Sequence, residues 1–270
     1  MPGLATNCGP MSGPDAPEIG GTSVDAALGG RLRLRQPLRG HRFGHDAILL
    51  AAAAPGRAGE HAVEFGAGVG AAGLALAARV AGLRVTLVEI EPQLAVLAAE
   101  NARLNDLADR VRVVGGDVTE DAALAAHGLA AGSIDCVLMN PPFRDAAREN
   151  VSPDAQRRRA HVAAPDLLSR WMASARNLLK RGGSLALIYR ADELDALVAA
   201  LDGFGGIAVL PVKPRADKPA VRVLLRAVKG GQGARVEHAP PLVLNNENNR
   251  PTAAAEAVLR GGEPLGLASL

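Results

Sequence analysis

Asn140, Pro141, Pro142 and Phe143 stand in that order directly behind the apolar run Ile134-Asp135-Cys136-Val137-Leu138-Met139. A strand that ends this way presents a selected set of groups. The Asn140 side-chain oxygen and the Pro141 carbonyl are acceptors, the two prolines carry no competing backbone donors, and Phe143 offers an aromatic face. That set suits a planar amine, whose lone pair is delocalised into a neighbouring π-system and attacks poorly. Two acceptors that take its two N–H hydrogens steer the nitrogen toward a tetrahedral geometry, with the lone pair aimed at an electrophile such as a methyl donor. No strong base is required, because positioning is worth about 7 to 11 kcal/mol in favourable cases. Asn and Pro are also default turn formers, so the four residues taken alone fit an ordinary strand-ending turn equally well.

The elements upstream decide between these readings. His61-Ala62-Val63-Glu64-Phe65 has the character of a short buried strand, and Gly66-Ala67-Gly68-Val69-Gly70 follows at once, ahead of an alanine-rich helix expected over residues 71–80. Glycines at such a turn let the backbone approach a ligand and leave helix N-terminal amides facing it. A second strand, over residues 83–88, ends at Glu89, placed to accept hydrogen bonds from a ribose diol. A third, over 111–114, runs into Gly116-Asp117, whose carboxylate suits an adenine amino group. The four strand ends should line one crevice at the carboxyl edge of a parallel sheet. Gly68-Val69-Gly70-Ala71-Ala72-Gly73 also satisfies the dinucleotide fingerprint, so an NAD(P)-dependent dehydrogenase competes. Nothing in that reading explains the Asn-Pro-Pro-Phe turn.

The set Val-Glu-Phe-Gly-Ala-Gly-Val-Gly (63–70), Val-Glu-Ile-Glu-Pro (88–92), Gly-Gly-Asp (115–117) and Asn-Pro-Pro-Phe (140–143) resembles the class I S-adenosylmethionine-dependent methyltransferases, in their amino-methylating branch. With the segment Gly40-His41-Arg42-Phe43-Gly44-His45-Asp46-Ala47-Ile48-Leu49-Leu50, the chain is similar to the tRNA1(Val) (adenine-37) N6-methyltransferase family from about Gly29 to Gly262. The resemblance implies S-adenosyl-L-methionine as cofactor and direct in-line N6-methylation of an adenine in tRNA. It places Gly66, Gly68 and Gly70 beside the methionine part of the cofactor, Glu89 at its ribose and Asp117 at its adenine. Phe43 and Asp46 would close over it, Glu64 and Asn140 would complete the cofactor site, and Asn140, Pro141, Pro142 and Phe143 would hold the target amine. Glu64 departs from the family's more usual Asp but keeps the charge.

The resemblance implies a doubly wound, Rossmann-like α/β sheet of seven strands with a terminal antiparallel strand, and the remaining pattern agrees. Helices are expected over 91–104, 165–180, 192–201 and 252–260, with a strand over 183–189 after an Arg-Gly-Gly stop signal. Strands over 207–212 and 221–228 form the antiparallel pair, and the polar turn Asn245-Asn246-Glu247-Asn248-Asn249-Arg250 precedes the last helix. The domain reading is a disordered tail over 1–27, one domain over 28–262 with a basic hairpin segment at its start, and a tail over 263–270. With 48% hydrophobic residues in 270 positions, the chain can bury one substantial core. Of six aromatic residues, Phe43, Phe65 and Phe143 fall inside the motifs; Phe65 suits core packing and Phe143 substrate stacking.

Cys8 and Cys136 are too dispersed for a disulfide or metal framework, and no metal is expected. Neither a signal peptide nor an 18-residue apolar run is visible, so a cytoplasmic protein without membrane contact is expected. The formal charge is only +2, yet five arginines and no acid lie between Arg31 and Arg42, and seven cations face Asp217 alone over 205–235. Such asymmetry is the footprint of a polyanion-binding face. Lys213, Arg215 and Lys218, with Arg157, Arg158 and Arg159 behind the Asn-Pro-Pro turn, are the candidate nucleic-acid contacts, and tRNA the expected partner. Alternatives are methylation of a release-factor glutamine, of rRNA or of DNA, and a non-catalytic RNA-binding protein of the same fold.

Overall fold

A computed structural model of the chain describes residues 21–40, 42–142, 167–233 and 236–269. Phe143, Arg157, Arg158 and Arg159 lie outside the described residues. The chain opens with a hairpin of β1 (Thr22–Ala27) and β2 (Leu32–Pro37), followed by α1 (His45–Ala53). Alternation of strand and helix then gives β3 (His61–Phe65), α2 (Ala71–Arg79), β4 (Arg84–Glu89), α3 (Pro92–Leu104), β5 (Val111–Gly115), α4 (Asp121–Ala126) and β6 (Ile134–Met139). After the undescribed segment come α5 (Leu167–Leu178), β7 (Leu179–Arg190), α6 (Leu194–Ala199), β8 (Phe204–Arg215), β9 (Arg222–Lys229), β10 (Val236–His238), β11 (Leu242–Asn245) and α7 (Ala253–Leu259).

The large sheet runs β10-β8-β9-β7-β6-β3-β4-β5, and β11 pairs with β8 beyond β10. From β5 to β7 every pairing is parallel; β9 is antiparallel to both β7 and β8. Because both faces are covered, the central strands are almost continuously apolar rather than alternating. One core lies under α1, α2, α3 and the hairpin, with Leu50, Leu76, Leu87 and Leu138. The other lies under α4, α5 and α6, with Phe65, Val137, Trp171 and Leu197. The fold is the mostly parallel α/β sheet that the sequence predicts, and three boundaries differ.

The sheet holds nine strands, not seven, because 236–238 and 242–245 add two short parallel pairings along β8 on either side of the rigid Pro240-Pro241 step. The tail does not extend to Ala27: Thr22–Ala27 pairs along its whole length with β2. At the other end, Leu265 donates its backbone N–H to the Ala52 carbonyl (2.8 Å) and Leu267 is fully buried, so residues 265–267 belong to the packed domain. The Arg181-Gly182-Gly183 stop signal is not a helix terminus either. It sits inside β7, where the register with β6 jumps from Ile134↔Leu179 to Cys136↔Ser184 and Gly182 adopts φ +81°.

Candidate active site

Parallel registry brings the sequence motifs to one edge. Phe65 is level with Val88 on β4 and Met139 on β6, and Glu89 is level with Gly115 on β5. Gly66, Glu89, Gly116 and Asn140 therefore emerge side by side. The Ala67 N–H donates to the Val88 carbonyl and the Gly116 N–H to the Glu89 carbonyl, both at 3.0 Å, which prolongs the ladder past the ends of β3 and β5.

The turn after β3 needs its glycines. Gly66 has φ +61°, and a Cβ there would stand 2.7 Å from the Trp171 ring, so α5 closes directly on this backbone. Trp171 also meets Phe65 edge to face at 6.0 Å, which accounts for the full burial of Phe65. Gly68 has φ +57° but open space where a Cβ would be. That is the side on which a ligand can lie against bare backbone.

Glu89 holds this turn in place. One of its oxygens accepts from the Gly68 N–H (2.6 Å) and the other from the Glu91 N–H (2.9 Å). A carboxylate has about four acceptor positions, so two remain for a diol. Asp117 is oriented in a similar way: one oxygen accepts from the Thr119 N–H and hydroxyl, both at 2.8 Å. Ile90, next to Glu89 in the chain, is 59% exposed and leaves an apolar surface at this strand end. Among the described residues, no ion pair reaches Glu64, Glu89 or Asp117.

Glu64 separates two readings of the glycine turn. Its Oε2 accepts from the Gly73 N–H (2.6 Å), and the Ala72 amide also bonds it. These are the first-turn amides of α2 that a dinucleotide pyrophosphate would require. Gly73 packs tightly, a Cβ there meeting Leu87 at 2.3 Å, but the anion site that should accompany the fingerprint is filled by the chain's own carboxyl group. Burial pushes the Glu64 carboxyl up to about 8 against the opposing pull of the Gly73 hydrogen bond, with the Glu89 charge adding to the rise. Glu64 thus occupies two of the amides a phosphate would use, whereas a cofactor without phosphates loses nothing.

At the end of β6, Pro141 is buried and Pro142 exposed. The Oδ1 of Asn140 is buried and has no hydrogen-bond partner among the described residues. A buried acceptor left in this state costs about 1 to 3 kcal/mol, and native chains keep few of them without a functional reason.

Phe43 and Asp46 reach the same end of the domain by another route. The Phe43 N–H donates to Gln36 Oε1 (3.1 Å), and Asp46 in the first turn of α1 forms an ion pair with Arg222 at the start of β9 (2.9 Å). Their partners are Gln36 and Arg222, not the glycine turn. Lys213, Arg215 and Lys218 lie at the carboxyl end of β8, the same edge as Asn140. They are not wholly free: Lys213 donates to the Ala216 carbonyl, and Arg215 and Lys218 share Asp217 at 3.1 and 3.6 Å.

Two contributors are not evident from motifs. Trp171 is the single tryptophan of the chain, a signal that could have been weighed. Asn101 on α3 is fully buried, accepts from the Arg35 N–H (2.6 Å), and donates to the Arg35 carbonyl (2.9 Å) and to the Val69 carbonyl in the glycine turn (3.0 Å). Asn105, one helical turn on, makes the equivalent pair with Arg33 (2.8 and 2.7 Å). The two amides take the place of a strand along β2, and so fix the hairpin to the turn that carries Gly68.

This fold, with glycines, acids and Asn140 at one carboxyl edge, is that of the class I methyltransferases. Within that class the chain belongs to the methyltransferase small domain family, whose model matches residues 43–206. It is similar to the tRNA1(Val) (adenine(37)-N6)-methyltransferase of Porphyromonas gingivalis, 32% identical over 160 residues, which are 58% of this chain and 61% of that one. The match thus spans less than two thirds of that relative. With the protein of the same name from Trichodesmium erythraeum, identity is 28% over 202 residues, 73% of this chain and 81% of the relative. Among solved structures, a predicted O-methyltransferase from Agrobacterium tumefaciens superposes with a TM-score of 0.67 at 29% identity, covering 81% of this chain and 97% of that one.

Proposed function

We propose that this protein uses S-adenosyl-L-methionine to methylate the N6 amine of an adenine in RNA, and specifically in tRNA. The observation that carries the proposal is the buried, unpartnered Asn140 oxygen at the strand end. It is an acceptor made ready for an N–H donor, and a hydroxyl substrate would have no second hydrogen for the Pro141 carbonyl. That favours an amine over the oxygen acceptor of an O-methyltransferase, the activity ascribed to the Agrobacterium tumefaciens protein.

The residues present fit the cofactor. Open backbone at Gly68 with Gly66 and Gly70 beside it, spare lone pairs on Glu89, the oriented Asp117 and the apolar Ile90 suit a methionine tail, a ribose diol and an adenine in turn. Acids without cation partners also favour a positive ligand. When bound, the cofactor supplies a methyl group on a sulfonium. Asn140 and Pro141 hold the amine with its lone pair toward that methyl, Phe143 gives the base a stacking face, and Phe43 and Asp46 border the entrance. The filled amide site at Glu64 argues against a dehydrogenase.

The tRNA assignment draws on the names of the two relatives and on Lys213, Arg215 and Lys218 at the catalytic edge, with Arg157, Arg158 and Arg159 as further contacts. Incubation with labelled S-adenosylmethionine and, separately, tRNA, rRNA, DNA and release factors tests it by nucleoside and amino-acid mass analysis. N6-methyladenosine from tRNA is expected. Methylglutamine, or label in DNA, would keep the pocket chemistry and overturn the substrate.

A further inference from the structure

Beyond the catalytic edge lies a polar turn with no part in the site described so far. Asn245 is level with Arg215 on β8, and its side-chain amide donates to the Pro214 carbonyl (3.3 Å), so β11 delivers the turn beside the Lys213–Lys218 connection. Asn246 then organises the turn from within. Its Oδ1 accepts from the Asn248 N–H (3.0 Å) and the Arg250 N–H (3.1 Å), its N–H donates to the Arg250 carbonyl (2.8 Å), and its carbonyl accepts from the Asn249 N–H (3.0 Å). Asn249 takes φ +56°, and a bridge from Asn245 to Pro251 closes the base. The backbone is therefore satisfied internally. The side chains of Glu247, Asn248, Asn249 and Arg250 project into solvent with no partner among the described residues.

We infer that this turn reads base edges in a single-stranded stretch of RNA next to the target adenine; the inference rests on the RNA reading above. Charge separates the roles of the two neighbouring turns. The Lys213–Lys218 connection has three cations against Asp217 and suits phosphates, whereas Glu247 offsets Arg250 and would be repelled by phosphate. What remains is a set of hydrogen-bonding groups, two amides, a carboxylate and a guanidinium, the side chains that pair with base edges. Distance fits the same division. From β6 to β11 the sheet steps through β7, β9 and β8, four spacings of about 4.8 Å, so the turn stands roughly 19 Å from Asn140. That is the span of several nucleotides, not of one base, and a fixed turn loses little entropy on binding.

The test uses the full chain with Asn248→Ala combined with Arg250→Ala. Both side chains are exposed, and the Asn246 contacts use only the backbone of these residues. Methyl transfer is measured on two acceptor RNAs: one of natural length and one trimmed to the target adenine and its immediate neighbours. The expected result is a roughly tenfold or larger rise in KM for the long RNA, with kcat and the KM for S-adenosylmethionine unchanged and no difference between wild type and variant on the trimmed RNA. Equal KM values for the long RNA would overturn the inference and leave the RNA reading intact. A wild-type protein that transfers no methyl to any RNA would overturn both.

Discussion

At the scale of single residues, the proposed chemistry turns on one atom. Asn140 Oδ1 is buried without a partner, whereas Asn101, equally an asparagine in the same domain, has every polar atom engaged. The proposed acceptor role of Asn140 rests on that contrast with an asparagine whose amide is wholly used by the fold. Glu64 is the second informative side chain. Its carboxyl is raised to about 8 from an unfolded value of 4.5, so the folded state holds a proton that the unfolded state gives up over that interval. Its stabilising contribution is complete below pH 4.5 and is lost as pH rises toward and through 8. Glu64→Gln keeps an acceptor for the Gly73 amide and abolishes the titration. Thermal melts of wild type and variant should therefore diverge between pH 5 and 8, with the variant showing the smaller decline; parallel curves would contradict the burial argument. The Asn-Pro-Pro turn is legible in the sequence because it follows an apolar strand and keeps company with the glycine and acid motifs at the other strand ends. That Glu64 caps the neighbouring helix is not, because the cap is supplied across a turn rather than from the N-cap position.

At the scale of elements, the strand ends align because adjacent parallel strands keep register, and apolar runs bounded by glycines reveal such strands well. The hairpin is a different case. Leu32 and Leu34 are buried and Arg31 and Arg33 exposed, as the alternation predicts, but nothing in that pattern says what its free edge rests on. The answer is the Asn101 and Asn105 pair, whose members stand four positions apart and 66 to 72 residues from their partners. The two are unequal. Asn101→Ala strands the buried Arg35 and Val69 groups and should cost about 2 to 4 kcal/mol in denaturant unfolding, with a higher KM for S-adenosylmethionine because the Gly68 turn is loosened. Asn105→Ala opens to water and should cost about 1 kcal/mol or less. Equal losses would mean that the amide ladder does not anchor the glycine turn. The Arg-Gly-Gly segment in β7 imitates a helix stop in the sequence because glycine marks a bulge and a helix end alike.

At the scale of the whole molecule, charge asymmetry is visible in the sequence but its distribution is not. Arg42 is paired with Asp25, Arg35 with Glu100, Arg222 with Asp46, and Lys229 donates to the Leu179 carbonyl, so much of the basic excess serves the fold. Lys213, Arg215 and Lys218 stay exposed or half-exposed at the carboxyl edge that carries Asn140. Replacing all three with alanine should weaken tRNA binding and reduce the slope of log K against log salt by about 1 to 2, since Asp217 already offsets part of their charge. An unchanged slope would place the RNA elsewhere. Among the described residues, no helix is long and apolar enough to cross a membrane, and no group of three or more His, Cys, Asp or Glu side chains is arranged to hold a metal ion. Whether Asn140 holds the target amine is decided by comparing Asn140→Ala with wild type in two assays. Calorimetric binding of S-adenosylmethionine should change by no more than about twofold, while single-turnover methyl transfer to tRNA should fall by about 10² or more, as when an oriented hydrogen-bonding group is lost from a transition state. A variant that transfers methyl at the wild-type rate would contradict the account.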